Sequence, residues 1–473
     1  MKKIISNIFS GVLNLQGSEN GYDSFFNVQE NIITVIPMTE ECRRAIETLS
    51  DNDDASRHDQ WLYGIAEDNC CVSILKRTHL RVGFSSGIDL GTAKFATPII
   101  VKNTVAQYVD LSTFDSIEFY GGIIDILHPP GLMIEEKYCE KCLVFNEMDV
   151  FTKKYEVEVN KEIFEVVYSI SASDLCSEAG QVPDLRNSIH SVLRFNFKTS
   201  QKLCDIEKYY SYAMNLFQFC IGMLNVRSEV KLYKKGQSQP ILLRFCDDFH
   251  DYANDTSNFT QVIRFQMLGD LFPKLFKLLN EEETQPYLLF LPQQNKYTNS
   301  IIYTNVNDLC VAFEREYHLL KIDSKSEEDV EAAKDLTAYL LEEIDKRSDC
   351  PVAVKTKAKN ILNSQLKAFS PSLKEKIFSI YNEFVESAKP ITEQKDHDRC
   401  RISTFYSIDQ FKEKIGQFVA IRNRASHAGI VWNDGTKIFW HLKLCIYFCI
   451  LKRADYSSTD SARILSWLFS RKF

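Results

Sequence analysis

The sequence predicts an α+β protein, with a β-rich N-terminal region followed by an all-α helical bundle. Three observations carry this. Short β-branched or alternating runs, separated by polar turns, recur from the N-terminus to about residue 170. After about residue 300 the strand signals stop and apolar residues recur at helical spacing. The 473 residues are 45% hydrophobic and 25% charged, the balance of a globular chain with enough apolar side chains for more than one core.

The expected strands begin with Gly11-Val12-Leu13-Asn14-Leu15-Gln16-Gly17, which alternates apolar and polar side chains between glycines. Asn31-Ile32-Ile33-Thr34-Val35-Ile36-Pro37 is a β-branched run. Cys71-Val72-Ser73-Ile74-Leu75, Thr97-Pro98-Ile99-Ile100-Val101 and Ser116-Ile117-Glu118-Phe119-Tyr120 follow, then 155–159 and 164–168. This pattern predicts an antiparallel module. A mixed stretch comes next. Ser191-Val192-Leu193-Arg194-Phe195-Asn196-Phe197 alternates like a strand, and 230–233 and 241–245 read likewise. Ile206, Tyr209, Tyr210, Ala213, Leu216, Phe217 and Cys220 share a helical spacing, and 265–279 also reads as helix.

The expected C-terminal helices are 306–320, 327–346, 351–367 with Pro351 in its first turn, 372–388, 407–427, 436–452 and 461–470. The organisation read from these elements is a β-rich region over 1–300, divisible into 1–185 and 186–300, and a helical domain over 301–473. No internal repeat is found.

Charge and cysteines narrow the function classes. With 56 basic against 64 acidic residues the net charge is −8, which argues against a mainly electrostatic nucleic-acid coat but permits a local basic site. The 14 cysteines show no regular framework and read as reduced thiols, so a cytoplasmic protein is expected. Met1-Lys2-Lys3-Ile4-Ile5 has the outline of a signal peptide, but Ser6, Asn7 and Ser10 break its apolar stretch. The apolar run 438–451 is too short for a membrane span and contains His441 and Lys443, so no membrane partner is expected. A helix apolar nearly all round belongs between other helices or between subunits.

Most motifs are weak. Gly83-Phe84-Ser85-Ser86-Gly87 satisfies G-x-S-x-G but is followed by Gly87-Ile88-Asp89-Leu90-Gly91 rather than a helical period, so it reads as a loop. Cys139-Glu140-Lys141-Cys142, with His128 eleven residues upstream, falls short of the four ligands of a structural zinc. No nucleotide-binding glycine motif and no H-E-x-x-H is present, and neither cofactor nor metal is expected.

The informative segment is 407–427. Ser407 and Gln410 have the spacing of a capping box. Ile408, Phe411, Ile415 and Phe418 form one apolar stripe, and the next position of that stripe is Arg422. A buried arginine is costly unless an anion meets it. Asn423 and His427 are four apart and lie one above the other on a neighbouring face, and Gly429 can end the helix. The three candidate catalytic residues are therefore Arg422, Asn423 and His427. Arg422 can hold a phosphate bidentately and stabilise transition-state charge. His427 can move protons near neutral pH, and Asn423 can orient the imidazole or a phosphate oxygen. An RNA 2′-OH is an internal nucleophile, so such a site needs no metal. The spacing alone fits more readily a surface arginine and histidine that happen to lie near a helix end.

Arg422-Asn423-Arg424-Ala425-Ser426-His427 resembles the R-x₄₋₆-H motif of HEPN domains, and its place late in a helical bundle is similar to theirs. The segments 11–17, Trp61-Leu62-Tyr63-Gly64-Ile65 leading into Val72-Ser73-Ile74-Leu75, and Phe114-Asp115-Ser116-Ile117-Glu118-Phe119 resemble the N-terminal domain of ApeA-type proteins, which carry a β-rich region ahead of a C-terminal HEPN domain. The resemblance implies a metal-independent endoribonuclease of bacterial antiphage defence, acting by abortive infection. It implies an RNA substrate, a homodimer or higher homo-oligomer whose two motifs face one cleft, and an N-terminal sensing or restraining region that answers a phage-derived trigger; the acidic net charge fits a short RNA segment such as a tRNA loop better than a long strand. Two other readings stand beside it. One is a non-catalytic HEPN module that binds RNA, a nucleotide or a partner. The other is an interaction protein that dimerises through helix 438–451.

Overall fold

The computed structural model describes residues 8–15, 22–29, 32–44, 60–76, 78–83, 92–96, 99–104, 110–137, 142–145, 151–172, 189–245, 261–292, 303–320, 327–366, 372–393, 406–425 and 436–469. It divides into two compact units, Met1–Phe217 with Asn225–Asn258, and Gln218–Leu224 with Phe259–Phe473. The N-terminal half carries an antiparallel sheet and the C-terminal half is helical.

The first unit contains β1 (Ile8–Leu15), β2 (Tyr22–Gln29), β3 (Ile32–Pro37), β4 (Gln60–Ala66), β5 (Cys71–Lys76), β6 (Thr78–Gly83), β7 (Thr92–Ala96), β8 (Ile99–Asn103) and β9 (Thr113–Tyr120). After α1 (Gly122–Leu127) come β10 (Ile134–Lys137), β11 (Cys142–Phe145), β12 (Lys153–Val159), β13 (Glu162–Ala172) and β14 (Ile189–Lys202). The helix α2 (Ile206–Ile221) precedes β15 (Glu229–Tyr233) and β16 (Ile241–Phe245). Among the described residues fourteen strands form one sheet in the order β12-β13-β14-β9-β15-β16-β8-β5-β4-β1-β2-β3-β7-β6, and β10 and β11 form a separate ribbon. The expected division between 185 and 186 does not separate two sheets, because β14 pairs with both β13 and β9.

The sheet changes the side on which it buries its core. From β12 to β16, one face carries Phe164, Phe195, Phe119, Val230 and Leu243, all buried; register sets Val230 opposite both Phe119 and Leu243, while Phe195 and then Phe164 each lie a further two residues along the same face. Tyr209, Tyr212 and Phe217 of α2 belong to the same aromatic cluster, with ring centroids 6.0 to 6.4 Å from Phe164 and Phe119. From β16 to β3 the core lies on the other face, where Leu242, Ile100, Ile74, Val72, Leu62, Leu13, Phe26 and Ile33 form one cluster. The strands at the changeover are buried on both faces, and β5 and β8 read as near-continuous apolar runs for that reason. Gly11 and Gly64 sit on the inner face of the second half. A Cβ on Gly11 would lie 2.2 Å from the Ile65 carbonyl oxygen, and one on Gly64 would lie 2.3 Å from that of Val12. Strands can approach so closely only where the side chain is absent, which lets this half of the sheet bend.

The second unit contains α3 (Phe265–Leu268), α4 (Phe272–Asn280), α5 (Tyr303–Leu319), α6 (Glu327–Lys346), α7 (Val352–Leu366), α8 (Leu373–Glu393), α9 (Ile408–Ala425), α10 (Thr436–Arg453) and α11 (Ser458–Phe469). The helix expected over 265–279 is two helices. Gly269, with φ of 55°, separates them, and Pro273 starts the second. The structural boundary also differs from the expected 300/301. Residues 261–292 pack with the helices that follow, as Tyr456 donates its hydroxyl to the Leu268 carbonyl and Lys274 pairs with Asp455 at 2.6 Å. Helix α10 is buried throughout 441–451, between α5, α8, α9 and α11 of its own chain. Of the two places open to a helix apolar nearly all round, between other helices or between subunits, these residues take the first. Among the described residues no helix is long and apolar enough to cross a membrane.

Candidate functional site

The sequence places its candidate site on α9, and the start of that helix is fixed from both sides. Ser407 donates its N–H to Gln410 Oε1 at 3.1 Å, and Gln410 donates its N–H to Ser407 Oγ at 3.3 Å, the reciprocal bonds of a capping box. The preceding residue is clamped at both backbone groups. Tyr406 donates its N–H to His441 Nε2 at 3.1 Å, and its carbonyl accepts from the Tyr381 hydroxyl at 2.7 Å. His441 thus accepts through Nε2, which makes it a neutral imidazole with its proton on Nδ1. It is fully buried, with ring centroids 4.5 Å from Tyr406 and 5.6 Å from Phe411, while Tyr381 stacks on Phe411 at 3.8 Å.

Beyond this anchor, Phe411, Ile415 and Phe418 are all fully buried, so the predicted stripe is the core face of α9. Arg422 occupies the next position of that stripe and Asn423 follows it, both within the last turn of α9. Their backbone is described and their side chains are not, and His427 lies outside the described residues. The structure therefore places Arg422 and Asn423 together on one helix turn and leaves His427 unplaced. Gly83 closes β6, while Ser85 and Gly87 lie outside the described residues. Cys142 begins β11, and Cys139 lies outside the described residues. His128 is fully buried, donating from Nε2 to the Phe151 carbonyl at 3.0 Å, and burial depresses its pKa to about 4. Among the described residues no three His, Cys, Asp or Glu side chains gather as a metal site.

Sequence reasoning missed the polar cluster at the other end of α10. Arg453 pairs with the buried Glu316 of α5 and donates to the Thr284 carbonyl. Lys452 donates to Glu383 of α8, which also accepts from Ser458 Oγ at 2.7 Å. Two cations thus sit in the last turn of α10, where the helix dipole favours them. The Glu316 Oε1 has no hydrogen-bond partner among the described residues, and burial pushes the carboxyl pKa up against the opposing pull of Arg453. A signal was present: Leu309, Phe313 and Glu316 share the buried stripe of α5, with an acid in an apolar position.

No family model matches this chain, and neither a curated protein nor a solved structure is found similar to it.

Proposed function

We propose that the helical unit is a HEPN-type, metal-independent endoribonuclease of bacterial antiphage defence, acting by abortive infection on an RNA such as tRNA. The observation that carries this reading is the continuation of the α9 core stripe, Phe411-Ile415-Phe418, into Arg422 at the helix end. A cation at that position asks for an anionic partner, and a phosphodiester supplies one. Arg422 holds the phosphate and stabilises the charge that grows on it. His427 transfers protons between the 2′-OH and the leaving 5′-oxygen, and Asn423 orients the reacting groups. The products are a 2′,3′-cyclic or 3′-phosphate and a free 5′-OH. The sheet unit is the sensing or restraining part.

One R-x₄-H motif makes half of the cleft this chemistry uses, so the reading includes at least a homodimer. The α6–α7 hairpin offers a seat for the second copy. The two helices pack chiefly on each other, and Leu336, Tyr339, Val352, Val354 and Ile361 are exposed. Helix α6 carries eight acids against two lysines, whereas the charges of α7 are Lys355, Lys357 and Lys359. A two-fold copy that sets the acidic helix against the basic one covers the apolar residues and matches the charges.

Sequencing RNA ends after induced expression of wild type and His427→Ala tests the activity. Cleavage should survive EDTA in vitro and fall by roughly 10²–10⁴-fold in His427→Ala, with RNA binding nearly kept. Arg422→Lys should lose most activity because the planar fork is gone. A Mg²⁺ requirement with 5′-phosphate ends would point to a two-metal nuclease instead. RNA binding without cleavage would favour the non-catalytic module. Sedimentation of Tyr339→Glu/Val354→Glu should show a monomer, with cleavage lost alongside the dimer.

A further inference from the structure

Near the middle of the sheet of the first unit, two neighbouring strands part at one end. β15 and β16 pair at Val230–Leu232 with Ile241–Leu243, and their pairing stops there. Among the described residues each strand continues with its outer neighbour alone. Glu229 stays opposite Tyr120 of β9, while Arg244 and Phe245 stay opposite Ile100 and Ile99 of β8. Two adjacent strands therefore part like the tines of a fork, and a cavity of about 140 Å³ lies between them.

The lining of this cavity is specific in charge and shape. Arg227, on the approach to β15, and Arg244, on β16, are among its lining residues, Arg244 from the Leu242 side of the strand and Phe245 from the other. Glu229 brings one carboxylate, which accepts a hydrogen bond from the Tyr120 hydroxyl. The lining therefore carries a formal charge of +1. A third cation stands close by, as Lys231 Nζ lies 4.0 Å from the Tyr120 ring centroid. The apolar wall is the stacked pair Tyr210 and Phe245, whose centroids are 3.7 Å apart. Guanidinium groups present planar forks of donors that match phosphate and carboxylate oxygens. The volume is close to that of a ~150 Å³ cavity that admits benzene, so the space suits one oxyanion with a small planar body and excludes a whole nucleotide.

We propose that the fork between β15 and β16 is a binding pocket for a small oxyanion-bearing ligand, a phosphate or a carboxylate on a compact planar group, held by Arg227 and Arg244 against the Tyr210–Phe245 wall. The shared chemistry is the oxyanion. The pocket lies wholly in the sheet unit, and the proposal stands whether or not the helical unit is a ribonuclease.

The test is isothermal titration of the full chain with three probes, namely phenyl phosphate, inorganic phosphate and benzoate. Phenyl phosphate or benzoate should bind at one site per chain, and the stronger of the two identifies the oxyanion. Inorganic phosphate, which lacks the planar body, should bind more weakly than phenyl phosphate. Arg227→Gln and Arg244→Gln should each weaken binding by roughly ten- to a hundred-fold, the worth of one charge-assisted hydrogen bond, with circular dichroism unchanged. Glu229→Gln keeps an acceptor for Tyr120 and removes the opposing charge, so it should tighten binding. It also keeps the proposal testable if an arginine variant fails to fold. Failure of all three probes to bind at millimolar concentration overturns the proposal, as does binding that none of these variants alters.

Discussion

The sheet unit and the helical unit both bury ionisable groups, and they do so by different means. In the sheet unit Glu118 is almost fully buried but completely engaged. Its Oε2 accepts from Arg194 and its Oε1 accepts from the Tyr233 hydroxyl at 3.1 Å, while Arg194 lies 4.8 Å from the Tyr233 ring centroid and stays 39% exposed. His128 nearby in sequence is buried as the neutral ring. In the helical unit Glu316 and Arg453 are 0% and 7% exposed, and one Glu316 oxygen has no partner among the described residues. The sheet unit lets water reach the cation or removes the charge. The helical unit keeps two charges in the dark and relies on each to hold the other. Desolvation is the larger burden in the second case, and losing one partner there strands the other.

The largest effect should therefore come from Arg453→Met. Stranding a buried carboxylate costs about 3–5 kcal/mol, read as a drop in chemical-denaturation stability. Glu316 has a raised folded pKa already, and losing Arg453 raises it further. A raised carboxyl pKa penalises the fold above that pKa and relieves it as pH falls through it. The deficit of Arg453→Met should thus be larger at about pH 8 than at about pH 5. The double variant Glu316→Met/Arg453→Met removes both charges and should recover most of the loss. If single and double variants lose the same stability, the contrast between the units fails.

An intermediate effect should come from His128. Its folded pKa, about 4, lies below the ordinary 6.5. The unfolded chain therefore binds the extra proton first, and stability is lost as pH falls from 6.5 towards 4. The depression is worth on the order of 3 kcal/mol at the acid end. In His128→Asn that acid sensitivity of the sheet unit should flatten, which a melting-temperature series against pH would show.

The smallest effect should come from Arg194→Ala. Tyr233 still donates to Glu118 and water replaces the half-exposed guanidinium, so the loss should be about 1–2 kcal/mol. A loss as large as that of Arg453→Met would show that exposure of the cation is not what separates the two pairs.

Much of this was legible in the sequence where periodicity was strong and local. The spacing of 327–346 gives α6 to the residue, and the Ser407–Gln410 pair marks the start of α9. β2 was missed although Ser24, Phe26 and Val28 are buried in alternation, because Phe25 between them is an exposed ring that blurs the pattern. The break between α3 and α4 depends on one positive φ at Gly269, which an amphipathic period does not register. Helix α10 reads as all apolar, and sequence alone does not say whether its cover comes from the same chain or another. At the candidate site, the stripe leading to Arg422 was legible, while the His441 clamp on Tyr406 joins residues 35 apart and leaves no local trace. Glu316 was overlooked because an acid in an apolar stripe resembles an ordinary interruption until its partner, 137 residues away, is seen.

The change of core side at β16 couples the two halves of the sheet through single peptide units. Leu242 and Leu243 are consecutive, yet one side chain belongs to each core. A strand cannot release one of those leucines without turning the other out of its packing. Local opening of either half must therefore break the strand that anchors both, and the ladder-bonded amides of β16 at 241–243, of β8 and of β5 should be the last to exchange with solvent. The rim strands β12 and β6, each paired on one side alone among the described residues, are where exchange should begin. By this route the protection map of a sheet fourteen strands wide reduces to a gradient falling away from three central strands.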